Sequence, residues 1–147
     1  MGRCFLNKKF IDYFCKIAEN TAELSYAKRL KVGSIIVKNN RILSIGYNGT
    51  PSGWNNECEH TIDTGTNVYY ETKPEVIHAE ANALMKLTVS TESSMGATMF
   101  CTHAPCLHCA KLIYQAGIEN LFYINDYRSE EGLDFLKKAG VEICQVE

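Results

Sequence analysis

Two short stretches of this 147-residue chain carry side chains that bind borderline-soft metals and move protons: His78-Ala79-Glu80 and Pro105-Cys106-Leu107-His108-Cys109. One imidazole and two thiolates, from His78, Cys106 and Cys109, suit zinc. Three protein ligands on a tetrahedral ion leave the fourth position to water, the arrangement of a catalytic rather than a structural site. Glu80 stands two residues from a ligand. Beside an acidified water, a carboxylate can take a proton and hand it on. The chemistry is metal-assisted hydrolysis, with Glu80 as the catalytic acid and base.

The spacing constrains how these groups are carried. Cys106 and Cys109 are three apart and share one face of a helix. Pro105 is expected at the first helical position, which puts Cys106 in the first turn, where free N–H groups and the helix dipole favour thiolate. His108, between the two, points elsewhere, to the surface or a subunit contact. His78 and Glu80 diverge by about 200° on a regular helix. Both reach one ion only if His78 sits at or before a helix start, on non-helical backbone. Two helix N-termini are therefore expected to converge on one zinc. The competing arrangement is a closed clamp whose fourth ligand is Cys58, Cys101 or His103, which leaves Glu80 without a purpose. A second, structural zinc would use Cys58 or His60.

The elements that position these groups follow from periodicity. Residues 6–22 read as a helix with Phe10, Phe14, Ile17 and Ala18 on one face. Residues 32–37 and 41–47 read as strands joined by Asn39-Asn40 into an antiparallel hairpin. The stretch from Asn48 to Glu75 is polar and contains Gly49, Pro51, Gly53, Gly65 and Pro74, so it reads as a long functional loop. A helix over 78–87 has Ala83, Leu84 and Leu87 as its core stripe. A third strand over 97–102 and a helix from Pro105 to Ala116, stopped by Gly117, follow. Strand 121–124, helix 130–139 and strand 141–144 complete the chain. Strands alternate with helices from the third strand on, which argues for a parallel portion. The fold class is α/β, a five-stranded mixed sheet with helices on both faces, formed by one domain over 1–147.

Bulk properties narrow the partners. A hydrophobic fraction of 46% and a charged fraction of 22% are those of a soluble globular protein. A net charge of −2 supplies no basic field for nucleic acid, which favours a small-molecule substrate. Met1-Gly2 begins like an acylation signal, but Leu6 stands where that motif requires Ser or Thr. No apolar stretch is long enough for a membrane span. Seven cysteines without a secretory leader fit a reducing cytoplasm, as metal ligands or buried thiols.

His-x-Glu with a later Pro-Cys-x-x-Cys is the signature of zinc nucleobase deaminases. With Val32-Gly33, Gly46-Tyr47-Asn48-Gly49-Thr50-Pro51-Ser52-Gly53, His78-Ala79-Glu80-Ala81-Asn82-Ala83 and Ala116-Gly117-Ile118, the chain resembles the cytidine deaminase superfamily, and within it the deoxycytidylate deaminases. The Gly-Tyr-Asn-Gly element separates that branch from nucleoside and tRNA deaminases. The resemblance implies a three-layer α/β/α sandwich, a homohexamer, and hydrolysis of dCMP to dUMP and ammonia. It also implies activation by dCTP with Mg2+ and inhibition by dTTP. Asn48 would hold the sugar 3′-hydroxyl, although Asn-Gly is also a common turn pair. Ser25 and Arg29, with Lys28 and Lys31 nearby, would meet the 5′-phosphate. Tyr127 would close the pocket, and Ala79 would touch the base. Gly46, Tyr47, Gly49, Glu57 and Asn82 would form the regulatory nucleotide site. Substrates left open within the superfamily are dCTP, cytidine, guanine and adenosine in tRNA. Outside enzymes, the alternative is a zinc-stabilised binding protein without turnover.

Overall fold

The computed structural model describes residues 6–147; Cys4 and the Met1-Gly2 start lie outside that range. Helix α1 (Lys8–Ala22) starts at Asn7, whose side-chain oxygen accepts the Lys9 N–H at 3.0 Å and caps the first turn. Its buried stripe runs through Ile11, Phe14, Cys15, Ala18 and Ala22. Phe10, expected in that stripe, is instead 38% exposed. The apolar face is centred on the Ile11–Cys15–Ala18–Ala22 row, which leaves Phe10 at its margin.

Strands β1 (Gly33–Lys38) and β2 (Arg41–Tyr47) form the expected antiparallel hairpin. Asn39 and Asn40 have φ of 52° and 60°, the left-handed pair that a two-residue hairpin turn requires. The stretch read as one long loop is not structureless. It holds a separate hairpin, β3 (Glu59–Asp63) and β4 (Val68–Thr72), with no buried residue in either strand. Tyr, Val, Ile and Thr make these segments competent strands, but with no covered face they lack the alternation that reveals a strand in sequence.

Helix α2 (Ala79–Thr88), strand β5 (Thr98–His103), helix α3 (Leu107–Gln115), strand β6 (Asn120–Asn125), helix α4 (Glu131–Ala139) and strand β7 (Glu142–Gln145) complete the order. The main sheet has five strands in the order β2-β1-β5-β6-β7. The β2–β1 and β1–β5 pairs are antiparallel, and β5–β6 and β6–β7 are parallel. The expected mixed sheet is thus present, with its parallel half built by the two strand–helix–strand crossovers.

Strand alternation sorts the core into two layers. Ile35, Val37, Phe100 and Phe122 point to α1, where the Phe100 and Phe122 rings stack with centroids 4.9 Å apart. Ile36, Met99, Cys101, Leu121 and Tyr123 point to the opposite face and pack on Ala83 and Leu87 of α2, Ile113 of α3 and Leu136 of α4. No helix among the described residues is long and apolar enough to cross a membrane.

Two close approaches set where α2 and α3 begin. Gly46 in β2 lies under α2, and a Cβ there would collide with the Ala79 carbonyl oxygen and the Ala83 backbone nitrogen. Gly132 in α4 lies against the turn before α3, and a Cβ there would meet the Pro105 carbonyl oxygen. Gly46 therefore serves helix–sheet packing. Gly46→Ala should destabilise the protein by about 1–3 kcal/mol through overpacking. The check is the denaturant midpoint, which should fall at an unchanged slope.

Candidate active site and metal centre

Helix α2 starts at His78, which is its N-cap residue with φ −68° and ψ 153°. The backbone is extended there, so the imidazole is released from the helical direction that would carry it away from Glu80. Helix α3 starts in the same way. Cys106 is its N-cap, at φ −70° and ψ 168°, and its sulfur accepts the Cys109 N–H at 3.5 Å. Pro105 thus precedes the cap instead of occupying the first helical position. The cap must be a residue whose side chain can take the free N–H, and the cysteine sulfur does so.

The two helix starts bring three ligand atoms together. His78 Nδ1 lies 3.5 Å from Cys106 Sγ and 3.4 Å from Cys109 Sγ. All three lie within 4.8 Å of one another and form the one such His, Cys, Asp or Glu cluster among the described residues. Cys58, Cys101 and His103 do not join it. The Cys101 sulfur is 3.5 Å from Ser34 Oγ, and His103 Nδ1 is 2.9 Å from Thr102 Oγ1. Three donors on one side, with no fourth protein ligand among the described residues, fit an ion that keeps a position for water. His108 is exposed on the outer face of α3.

The charge state of the cluster suits a cation. The thiol hydrogen bond from Cys109, followed by the bond with His78, holds Cys106 well below the ordinary thiol range. Cys109 is pushed up by that same bond to Cys106 and by its burial. The bond to Cys106 also raises His78. Metal binding displaces the protons that these ligands carry.

Glu80, in the first turn of α2, is 4% exposed. Burial raises its carboxyl above the usual carboxylate range. Glu80, His78 and Cys106 line a cavity of about 610 Å³ at the carboxyl ends of β5 and β6, together with Arg29, Asn48, Ala79, Tyr127 and Arg128. The strand ends are tied by the Ala104 N–H donating to the Asn125 carbonyl at 2.9 Å and by Asn125 Nδ2 donating to the Thr102 carbonyl at 2.8 Å.

The other expected site residues divide. Arg29, Asn48, Ala79 and Tyr127 reach the cavity. Asn48 also braces the loop before β1, its Oδ1 accepting from Val32 N–H at 2.9 Å and its Nδ2 donating to the Leu30 carbonyl at 2.8 Å. One lone pair and one N–H of that amide remain for a ligand. Ser25 does not reach the cavity. It is 4% exposed, donates to the Asn48 carbonyl at 2.7 Å and accepts from Ala27 N–H at 3.1 Å. Its hydroxyl holds the loop that carries Arg29. Lys31 pairs with Glu23 at 3.7 Å, and the Lys28 ammonium lies 5.2 Å from the Tyr70 ring centroid.

The residues expected around a regulatory nucleotide lie along β2 and α2. Asn82 Nδ2 donates to the Tyr47 carbonyl at 2.8 Å, and Gly49 and Ile77 exchange two backbone bonds. The exposed Glu57 carboxylate lies 3.6 Å from the ammonium of the largely covered Lys73.

Arg128, Glu59 and Thr72 also line the cavity and were not found from sequence. Arg128 follows Tyr127 in a loop with no motif. Glu59 and Thr72 arrive on the exposed hairpin, whose position no local pattern encodes.

Comparison with known proteins agrees with this geometry. Residues 8–125 match the family model described as the cytidine and deoxycytidylate deaminase zinc-binding region. The deoxycytidylate deaminase of Enterobacteria phage T4 is 34% identical over 152 residues, covering 79% of each chain. ComE operon protein 2 of Bacillus subtilis is 35% identical over 137 residues, 92% of this chain and 70% of that one. Among solved structures, the dCMP deaminase of cyanophage S-TIM5 in complex with dCMP and dUMP superposes with a TM-score of 0.88. It is 44% identical, with 96% of this chain and 99% of that chain covered.

Elemental analysis of purified variants tests the ligand set. His78→Ala and Cys106→Ala should each lose most bound zinc, whereas His108→Ala should keep about one ion per chain, as a three-ligand site on one face of α3 requires. Zinc loss from His108→Ala would place the centre elsewhere.

Proposed function

The chain belongs to the cytidine and deoxycytidylate deaminase family, and from that premise we propose that it hydrolyses dCMP to dUMP and ammonia. The observation that carries this reading is the buried Glu80 carboxyl beside a three-ligand His–Cys–Cys cluster, on the floor of a cavity that arginines also line. The S-TIM5 enzyme, similar along nearly its whole length, was solved with dCMP and dUMP, and that supports the choice of nucleotide.

His78, Cys106 and Cys109 would hold the zinc ion. When bound, zinc lowers the pKa of water towards 7, so that hydroxide is available at neutral pH. Glu80 takes the proton from the attacking water and delivers it to N3 of the cytosine ring, while oxygen bonds to C4. Glu80 then carries the remaining hydroxyl proton to the exocyclic amino group. The C4–N bond breaks, ammonia departs, and the C4 carbonyl of the uracil forms. Burial raises the carboxyl above the usual carboxylate range, which strengthens its hold on the proton it receives in the first half of this shuttle. Asn48 offers its remaining amide capacity to the deoxyribose, and Tyr127 walls the cavity beside the base. Arg29 supplies a cation for the 5′-phosphate; it forms no ion pair with a carboxylate among the described residues.

The same reading extends to control of activity and to assembly. Tyr47, Gly49 and Asn82 join β2 to α2 directly behind His78. A dCTP–Mg2+ or dTTP molecule bound there would act on the ligand through the start of α2. A homohexamer and a cytoplasmic setting belong to this reading. No disulfide joins the six cysteines among the described residues, as a reducing compartment allows.

Two measurements test the assignment. Ammonia release should be fastest with dCMP among dCMP, dCTP, CMP and deoxycytidine. Activation by dCTP with Mg2+ and inhibition by dTTP are expected in the dCMP reaction, and unchanged rates with both would remove the regulatory part. Glu80→Gln should retain its zinc and lose about a thousandfold in kcat, the scale of a positioned acid–base group. Full turnover by that zinc-loaded variant would refute the role of Glu80.

A further inference from the structure

Arg29 is gripped twice by one cross-strand pair of the exposed hairpin. Glu59, the first residue of β3, faces Thr72, the last residue of β4. Glu59 Oε2 accepts the backbone N–H of Lys28 at 2.8 Å and that of Arg29 at 3.0 Å. Arg29 Nη1 donates to Thr72 Oγ1 at 3.1 Å. One residue of the pair therefore fixes the backbone of Arg29 and the other fixes its guanidinium.

Hydrophobic packing does not account for where this hairpin sits. Neither strand buries a residue, and two strands alone are marginal in water. Its attachment is polar and concentrated at its base. Besides the three bonds to Lys28 and Arg29, the Lys28 ammonium lies over the Tyr70 ring. The attached end is also the end that lines the cavity, through Glu59, Thr72 and Arg29.

We propose that Glu59 and Thr72 are positioning residues that hold Arg29 ready for the substrate's 5′-phosphate, and that this is what the β3–β4 hairpin contributes to the enzyme. The proposal rests on the reading of Arg29 as the phosphate cation. An arginine on a free loop must lose its side-chain freedom when it meets a phosphate; one already held by Thr72 and by a fixed backbone has lost part of it beforehand. The Glu59 carboxylate accepts two backbone N–H groups through Oε2, which offsets part of its charge beside the cavity. Because the phosphate is remote from the reacting C4, the contribution is equal in the ground state and the transition state. It therefore enters KM and leaves kcat unchanged.

The experiment is steady-state deamination of dCMP by the zinc-loaded full chain, in a double-mutant cycle of Thr72→Val and Arg29→Ala, with zinc content and far-UV circular dichroism confirming each fold. Thr72→Val should raise KM about fivefold with kcat within about twofold, and Thr72→Ser should restore KM, as loss and recovery of one hydrogen bond to a charged group require. Glu59→Ala should show the same split. In the Arg29→Ala background, Thr72→Val should add nothing, since its effect passes through the missing side chain. An unchanged KM in Thr72→Val while Arg29→Ala raises it overturns the proposal and leaves the phosphate reading intact. An equal KM increase from Thr72→Val in both backgrounds overturns it too, because Thr72 would then act without Arg29. An Arg29→Ala variant with normal KM removes the phosphate reading itself and the proposal with it.

Discussion

The convergence of two helix starts on one point is the constraint from which the rest of the architecture follows. A His-x-Glu pair cannot aim both side chains at one ion from within a helix, and a Cys-x-x-Cys pair needs its first sulfur outside the helix to take a free N–H. Both conditions are met by placing His78 and Cys106 at N-cap positions on extended backbone. The cluster of ligand atoms then sits where two sets of free N–H groups and two positive dipole ends meet, a setting that favours thiolate and anionic transition states alike.

That convergence has to be enforced by the sheet. Strand β5 delivers the chain to Cys106, and β2 supports the start of α2. Glycines 46 and 132 permit contacts that no side chain could share. The large apolar residues keep the strands and helices at fixed spacing, with Phe100 and Phe122 against Phe14 of α1 and Met99 and Leu121 under the other three helices. Interiors packed at this density deform little, so positions of the catalytic groups are inherited from the core. The burial that rigidifies Glu80 is also what raises its pKa, so the same packing supplies geometry and proton affinity together.

The polar region after β2 follows different physics. Around Ser25, Asn48, Glu59 and Thr72 the structure is held by side-chain hydrogen bonds to backbone rather than by apolar burial. Ser25 and Asn48 lock the segment before β1, and the β3–β4 hairpin clasps the same segment from the other side. Such bonds are directional and individually modest. They suit a wall that has to present polar groups to a nucleotide while remaining in contact with water.

Local chemistry made the His78–Cys106–Cys109 cluster, the β1–β2 hairpin, the stop of α3 before Gly117 and the parallel half of the sheet legible from residue order alone. Each is encoded within a few residues: ligand spacing, Asn39-Asn40, Gly117, or alternating strand and helix periods. Even the extended backbone at His78 follows from the two-residue gap to Glu80. The β3–β4 hairpin, the loop-bracing role of Ser25, the packing role of Gly46 and the arrival of Glu59, Thr72 and Arg128 at the cavity were decided by the tertiary structure. They depend on partners 23 to 43 residues away, such as Ser25 with Asn48 and Arg29 with Thr72. A side chain with hydrogen-bonding capacity carries no mark of which distant group will use it. Periodicity reports burial, and these contacts involve little of it.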